Sequence, residues 1–248
     1  MRYFIGNWKM FGVPSSLSIL KKINNYVKKE KNNKNYKIII TPPYTLIESF
    51  SKFFKKKSIM IGSQNCYHKD PFSSDTGSVS SHMVKKLGAQ FVIIGHSDNR
   101  KEGDTDTILK QKVEFALKNN LKVIFCIGEN KMQKQKKQTF QTLKRQIIKV
   151  LDKKFTKNNI IVAYEPIWSI GTGKLPQPND LLKTVKFIKK TLGQVFKSIK
   201  PNAVLYGGSV DGYSVNLYKN LQIIDGFLIG GASKSSKKFI DIIKNYYR

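Results

Sequence analysis

Glu165 is the residue of this chain best placed to do chemistry. It follows an apolar run, Ile160–Tyr164, that reads as a buried strand. Pro166 stops the strand pattern at once, because proline brings no N–H to a β-ladder. Trp168 then anchors a segment that ends in Gly171-Thr172-Gly173. A carboxylate at a strand end, followed by a glycine-bracketed tip, predicts a general base beneath a lid whose backbone amides can approach an anion. Other polar groups stand after other apolar runs. Asn7 and Lys9 follow the first, His96, Ser97 and Asp98 the fourth, Tyr206-Gly207-Gly208-Ser209 the seventh, and Gly230-Gly231-Ala232-Ser233 the eighth. The two glycine pairs fit a phosphate cradle of backbone amides and a short helix N-terminus. A base, an imidazole, a cation and an anion cradle together suit proton abstraction beside a carbonyl, with no metal or redox cofactor required.

Each residue also has a plainer reading. Lys9 is one of 41 lysines, His96 would serve as a satisfied structural histidine, and paired glycines make tight turns. Glu165 would serve as an ion-pair partner. It is, however, one of only six glutamates, and a carboxylate next to a buried strand carries a desolvation cost.

The elements that must position these groups are legible as an alternation. Short apolar runs lie at Tyr3–Trp8, Tyr36–Ile40, Ser58–Gln64, Gln90–Gly95, Leu121–Ile127, Ile160–Tyr164, Ala203–Gly207 and Gly226–Gly230. They are nearly continuous in hydrophobicity, as strands buried on both faces are. Amphipathic runs lie between them, at Ser15–Lys29, Tyr44–Phe54, Ser80–Leu87, Thr105–Asn119, Gln138–Lys153, Asn179 to Phe196, Ser214–Asn220 and Ser235–Tyr247. Asn179 or Asp180 is the expected cap of the sixth helix. Eight strand–helix units in 248 residues predict an α/β fold, a single (β/α)8 barrel domain over residues 1–248 with eight parallel strands inside eight helices. A doubly wound open sheet is the alternative. It lacks the expected Gly-x-Gly-x-x-Gly after the first strand.

Composition narrows the class. The formal charge is +29, carried by 41 lysines against 4 arginines. Phosphate and nucleic-acid readers favour the planar fork of arginine. The lysines are spread along the whole chain, so solvated faces are the expected reading and a nucleic-acid site is not expected. Two cysteines, Cys66 and Cys126, make no disulfide framework and read as reduced buried thiols. His68, His82 and His96 are scattered, so no metal site is expected. There is no apolar run of about 18 residues to span a membrane. The N-terminus lacks the charged-then-apolar pattern of a secretory signal, so a cytoplasmic location is expected.

Six segments carry a resemblance: Asn7-Trp8-Lys9-Met10, Ile94-Gly95-His96-Ser97, Cys126-Ile127-Gly128-Glu129, Ala163 to Lys174, Tyr206-Gly207-Gly208-Ser209-Val210 and Gly230-Gly231-Ala232-Ser233. In this order and spacing the set resembles the triosephosphate isomerase family, and Gly62-Ser63-Gln64-Asn65 and Thr76-Gly77 match it loosely. The resemblance implies interconversion of dihydroxyacetone phosphate and D-glyceraldehyde 3-phosphate through an enediolate, a step of glycolysis and gluconeogenesis. It implies Glu165 as the base, His96 as a neutral electrophile, and Asn7 and Lys9 as groups that hold substrate and offset its charge. It implies that Gly171, Ser209, Gly230 and Gly231 bind phosphate, with Ser97 and Asp98 in support, and that no cofactor is used. It also implies a homodimer, formed by inserting the loop Cys66–Ser80 into the partner. This chain departs from the family in places. Asp98-Asn99 stands where Glu-Arg is usual, so the carboxylate at 98 is one methylene shorter. Ser78 replaces a glutamate, Phe11 a polar residue and Ser169 a lid alanine. Another sugar-phosphate isomerase or lyase, or a polyanion-binding barrel without activity, are the alternative functions.

Overall fold

A computed structural model describes residues 1–31, 34–55, 58–69, 71–155, 157–199 and 202–248. The eight apolar runs are strands: β1 (Arg2–Asn7), β2 (Tyr36–Thr41), β3 (Ile59–Ser63), β4 (Phe91–Ile94), β5 (Lys122–Ile127), β6 (Ile160–Tyr164), β7 (Val204–Tyr206) and β8 (Gly226–Ile229). Each pairs in parallel with the next, and β8 returns to β1 with Phe4 opposite Phe227 and Gly6 opposite Ile229. The sheet is therefore a closed barrel, and the open-sheet alternative falls.

Alternation along each strand sorts the side chains into two layers. Ile5, Ile39, Ile93, Ile124, Ile161, Ala163, Leu205 and Leu228 pack together with Cys126 inside the barrel. Their neighbours, among them Phe4, Ile38, Ile40, Val92, Ile94 and Val162, pack outward against the helices. Each such buried side chain is worth about 1.5–3 kcal/mol in apolar transfer, which is why the runs read as continuous rather than alternating hydrophobicity.

Ten α-helices surround the strands among the described residues: α1 (Leu17–Lys29), α2 (Tyr44–Phe54), α3 (Ser81–Lys86), α4 (Ser97–Lys101), α5 (Asp106–Lys118), α6 (Lys131–Gln135), α7 (Thr139–Val150), α8 (Pro178–Phe196), α9 (Gly212–Tyr218) and α10 (Ser236–Tyr247). The expectation of eight is corrected by α4 and α6. Both are five-residue turns that precede the main helix after β4 and after β5, so eight strand–helix units remain. The predicted cap of α8 is also wrong. Gln177 occupies the cap without a side-chain bond, and Pro178 takes the first helical position. Proline's fixed φ suits that position and moves the start upstream of Asn179 and Asp180. Elsewhere the caps follow side-chain chemistry: Ser80 accepts from the Met83 N–H and Thr105 from the Ile108 N–H.

Candidate active site

A cavity of about 1090 Å³ opens at the C-terminal ends of the strands. Asn7, Lys9, His96, Glu165, Gly171, Ser209, Gly230 and Gly231 all line it. These residues span 224 positions of sequence, and the parallel barrel gathers them because every strand ends on the same rim. Ser97 is buried in the first turn of α4, and Asp98 stands beside the cavity, within reach of Lys9.

Glu165 and His96 face each other, with the His96 Nε2 3.5 Å from the Glu165 Oε1. Both are nearly enclosed, at 4% and 5% exposure. The Glu165 N–H donates to the Ile127 carbonyl at 2.8 Å, extending the β5–β6 ladder by one bond. Gly128 makes this possible, because a Cβ there would run into the Glu165 carbonyl oxygen. His96 precedes α4, and the Asp98 N–H donates to its Nδ1 at 3.1 Å. A nitrogen that accepts a proton bond carries no proton of its own. With Nδ1 accepting from the Asp98 N–H, the ring proton belongs on Nε2, the nitrogen facing Glu165, while the Asp98 Oδ2 lies 3.5 Å from Nδ1. Arg100 supports the turn from below: it donates to the Gly95 carbonyl at 2.8 Å and the Cys126 carbonyl at 3.1 Å. The neighbouring Cys126 thiol is pushed well above its ordinary value, first by burial and then by the Glu165 carboxylate.

Lys9 sits in left-handed backbone, with φ of 54°. Such a conformation costs a non-glycine residue about 1–3 kcal/mol and persists only where its surroundings fix it. Two bonds do so. The Lys9 N–H donates to the Asn7 Oδ1 at 3.0 Å, and the Gln64 side chain donates to the Lys9 carbonyl at 2.8 Å. The same Gln64 amide also donates to the Thr41 carbonyl at 2.9 Å. The Lys9 ammonium meets the Asp98 Oδ2 at 3.1 Å, so the shorter carboxylate still reaches. Burial pushes the Asp98 carboxyl up, but the Lys9 hydrogen bond and nearby positive groups outweigh it and leave it below its ordinary value.

The segment after Glu165 is docked on its surroundings. The Trp168 indole donates to Glu129 at 2.8 Å, and the Tyr164 hydroxyl donates to the same buried carboxylate at 3.1 Å. At the tip, the Gly173 N–H donates to the Ser209 hydroxyl at 3.3 Å. Across the mouth, the Trp8 indole donates to the Ser233 carbonyl at 3.0 Å and ties the β1 loop to the glycine pair after β8. Gly231 opens a short 3-10 turn, Gly231–Lys234, whose first amides point free of any ladder.

Three contributors were not singled out from sequence for these tasks: Gln64 and Arg100, which fix backbone beside Lys9 and His96, and Glu129, which fixes Trp168. Their partners lie up to 55 positions away, so only the cis-acting part of the signal, an amide or charge beside a strand end, was available. Among the described residues, no group of three His, Cys, Asp or Glu side chains could hold a metal ion. None of the helices among them is long and apolar enough to cross a membrane. The loop Cys66–Ser80 is braced internally by Tyr67 and Lys69, which donate to Asp75 at 3.0 and 2.7 Å. Asp70 of that loop lies outside the described residues.

The comparison with known proteins agrees with this geometry. The family model described as triosephosphate isomerase matches residues 2–246. The chain belongs to the triosephosphate isomerase family. It is similar to the triosephosphate isomerase of Zygosaccharomyces bailii, 35% identical over 250 residues, with 98% of each chain covered. The enzyme of the same name from Debaryomyces hansenii is 37% identical over 251 residues, again with 98% of each covered. Among solved structures, triosephosphate isomerase from Bartonella henselae superposes with a TM-score of 0.89 at 30% identity, covering 100% of this chain and 99% of that one. Family membership at this coverage extends to both rims of the barrel and to the segment after Glu165.

Proposed function

We propose that this chain interconverts dihydroxyacetone phosphate and D-glyceraldehyde 3-phosphate through an enediolate. Glu165 takes a proton from the carbon beside the carbonyl and returns it to the neighbouring carbon. The His96 Nε2–H polarises the carbonyl oxygen, and the Lys9 ammonium and Asn7 amide offset the growing negative charge. Gly171, Ser209, Gly230 and Gly231 hold the phosphate through backbone and hydroxyl donors. The segment over Glu165 closes as a lid, behaviour for which triosephosphate isomerase is itself a standard example. The observation that carries this reading is the 3.5 Å approach of His96 Nε2 to Glu165 inside a cavity also lined by Lys9 and both glycine pairs.

A coupled isomerase assay without added metal tests it. The wild-type protein turns over, and Glu165→Gln lowers kcat by about 10²–10⁴-fold, the range of a lost general base, while the thermal melt stays in place. Wild-type-like turnover in Glu165→Gln would remove the base assignment.

The same reading includes a homodimer through the loop Cys66–Ser80. It is supported by large apolar side chains left in water in this region: Phe72 is 89% exposed and Met10 99% exposed. A second copy of the chain is the partner that would cover them. Sedimentation of the purified protein at twice the monomer mass is the expected result.

A further inference from the structure

Ser169 sits at the start of the segment that closes over Glu165, and its side chain is 0% exposed. Its hydroxyl donates to the Lys174 carbonyl at 2.5 Å, joining the first hinge of the lid to the last. A hydroxyl has one proton to give. With that proton spent on Lys174, the Tyr206 hydroxyl is the donor in the 3.1 Å contact between the Ser169 and Tyr206 oxygens. The Ser209 N–H approaches the same oxygen at 3.4 Å, and the Ser209 hydroxyl donates in return to the Ser169 carbonyl at 2.6 Å. Gly208 lets the three groups converge, because a Cβ there would run into both the Tyr206 and Ser169 oxygens.

Residue 176 is proline and has no N–H to give. Its carbonyl is already taken, accepting from the Tyr218 hydroxyl at 2.7 Å. The lid is fastened at its near end through the Ser169 hydroxyl and carbonyl, at its tip through the Gly173 N–H on Ser209, and at its far end through the Pro176 carbonyl on Tyr218.

We propose that Ser169 is a positioning residue, a clasp whose hydroxyl holds the lid docked through Lys174 and Tyr206 and so sets how often the cavity is closed. This deepens the isomerase reading and rests on it for its catalytic consequences. Losing the clasp removes the bond between the Tyr206 hydroxyl and the lid and shifts the lid toward open. An enediolate in an open site is exposed to a side reaction: its electron pair forms a C=C bond as the C–O bond to phosphate breaks, and inorganic phosphate leaves with the bonding pair.

Ser169→Ala tests the proposal with two readouts. The first is acrylamide quenching of tryptophan fluorescence. Trp8 is fully buried and shielded from the quencher, so the change in quenching reports Trp168, whose indole donates to Glu129 at the base of the lid. Quenching of Ser169→Ala at least twofold above wild type supports the clasp. The second is catalytic. Loss of the two hydrogen bonds predicts about a tenfold rise in KM, in the inhibition constant of a phosphoglycolate-type mimic, and in phosphate released per isomerisation. Tyr206→Phe should reproduce these changes, and the double variant should add little to either single one, because the clasp is then already open. Unchanged quenching, or fully additive effects of the two substitutions, overturns the clasp. If wild-type protein does not isomerise triose phosphates, the isomerase reading falls, and the quenching experiment still decides the clasp by itself. If Ser169→Ala does not fold, quenching in Tyr206→Phe decides it.

Discussion

Asp98→Asn separates the positioning of Lys9 from the stability of the fold. The substitution keeps the shape and the Asp98 N–H that orients His96, and removes the charge that faces the Lys9 ammonium at 3.1 Å and the His96 Nδ1 at 3.5 Å. The pair is close, at 3.1 Å, but both partners are partly in water, with side chains 36% and 52% exposed. Ion pairs so exposed contribute about 0–1 kcal/mol. For a chain of this size that corresponds to a melting shift of at most about 2–4 °C. The catalytic cost is larger. Lys9 is fixed at its backbone by Asn7 and Gln64, but its ammonium has Asp98 as the carboxylate within ion-pair reach. A displacement of about 1 Å in such a group costs on the order of 100-fold. The expected result is therefore a fall in kcat/KM of about 10–100-fold, or about 1.4–2.7 kcal/mol of transition-state stabilisation, with nearly unchanged melting. The sign with pH follows from the depressed carboxyl of Asp98. Its stabilising bond is present above the ordinary carboxylate range and is lost only as pH falls through the depressed value, so the gap between variant and wild type stays constant through neutral pH. Wild-type kcat/KM in Asp98→Asn, or a melting loss beyond about 10 °C, would refute the reasoning.

Other substitutions probe the supports. Gln64→Ala leaves the Lys9 and Thr41 carbonyls without their shared donor, and a loss of about 1–3 kcal/mol in urea unfolding with a raised KM is expected. Lys112→Met strands the Asp104 carboxylate, now bonded at 2.7 Å in a site where both side chains are nearly buried, and should cost about 3–5 kcal/mol. Because Lys112 also donates to Asn65 at 3.0 Å, beside the loop Cys66–Ser80, the same variant should sediment with a larger monomer fraction. Burial raises the Cys66 thiol to about 12 and lifts Cys126 further from reactivity, so a thiol reagent at pH 8 should label neither residue until denaturant is added.

The barrel was legible in the sequence because its strands are buried on both faces, and runs such as Ile160–Tyr164 carry that burial in every residue. Glu165 stood out for the same reason, as a charge where the apolar run stops. The short helices α4 and α6 were not legible: Ser97–Lys101 and Lys131–Gln135 are too short and too polar to show a period. The start of α8 was misread by favouring Asn179 and Asp180 over the stronger signal of Pro178. What sequence could not give is who meets whom across the rim. Asp98 was one methylene short by family habit, yet it reaches Lys9 at 3.1 Å. Ser169 read as one added hydroxyl on a lid, and only the fold places Lys174, Tyr206 and Ser209 around it.

Closure of β8 onto β1 also governs how the chain emerges from the ribosome. Tyr3, Phe4, Ile5 and Gly6 are paired on one side by residues 226–229, which are synthesised more than 200 positions later. Throughout translation the first strand therefore presents an unsatisfied apolar edge, the kind of template on which nascent chains aggregate. Premature termination before Gly226 would leave that edge open permanently, and such fragments belong with chaperones and proteases rather than with the working enzyme.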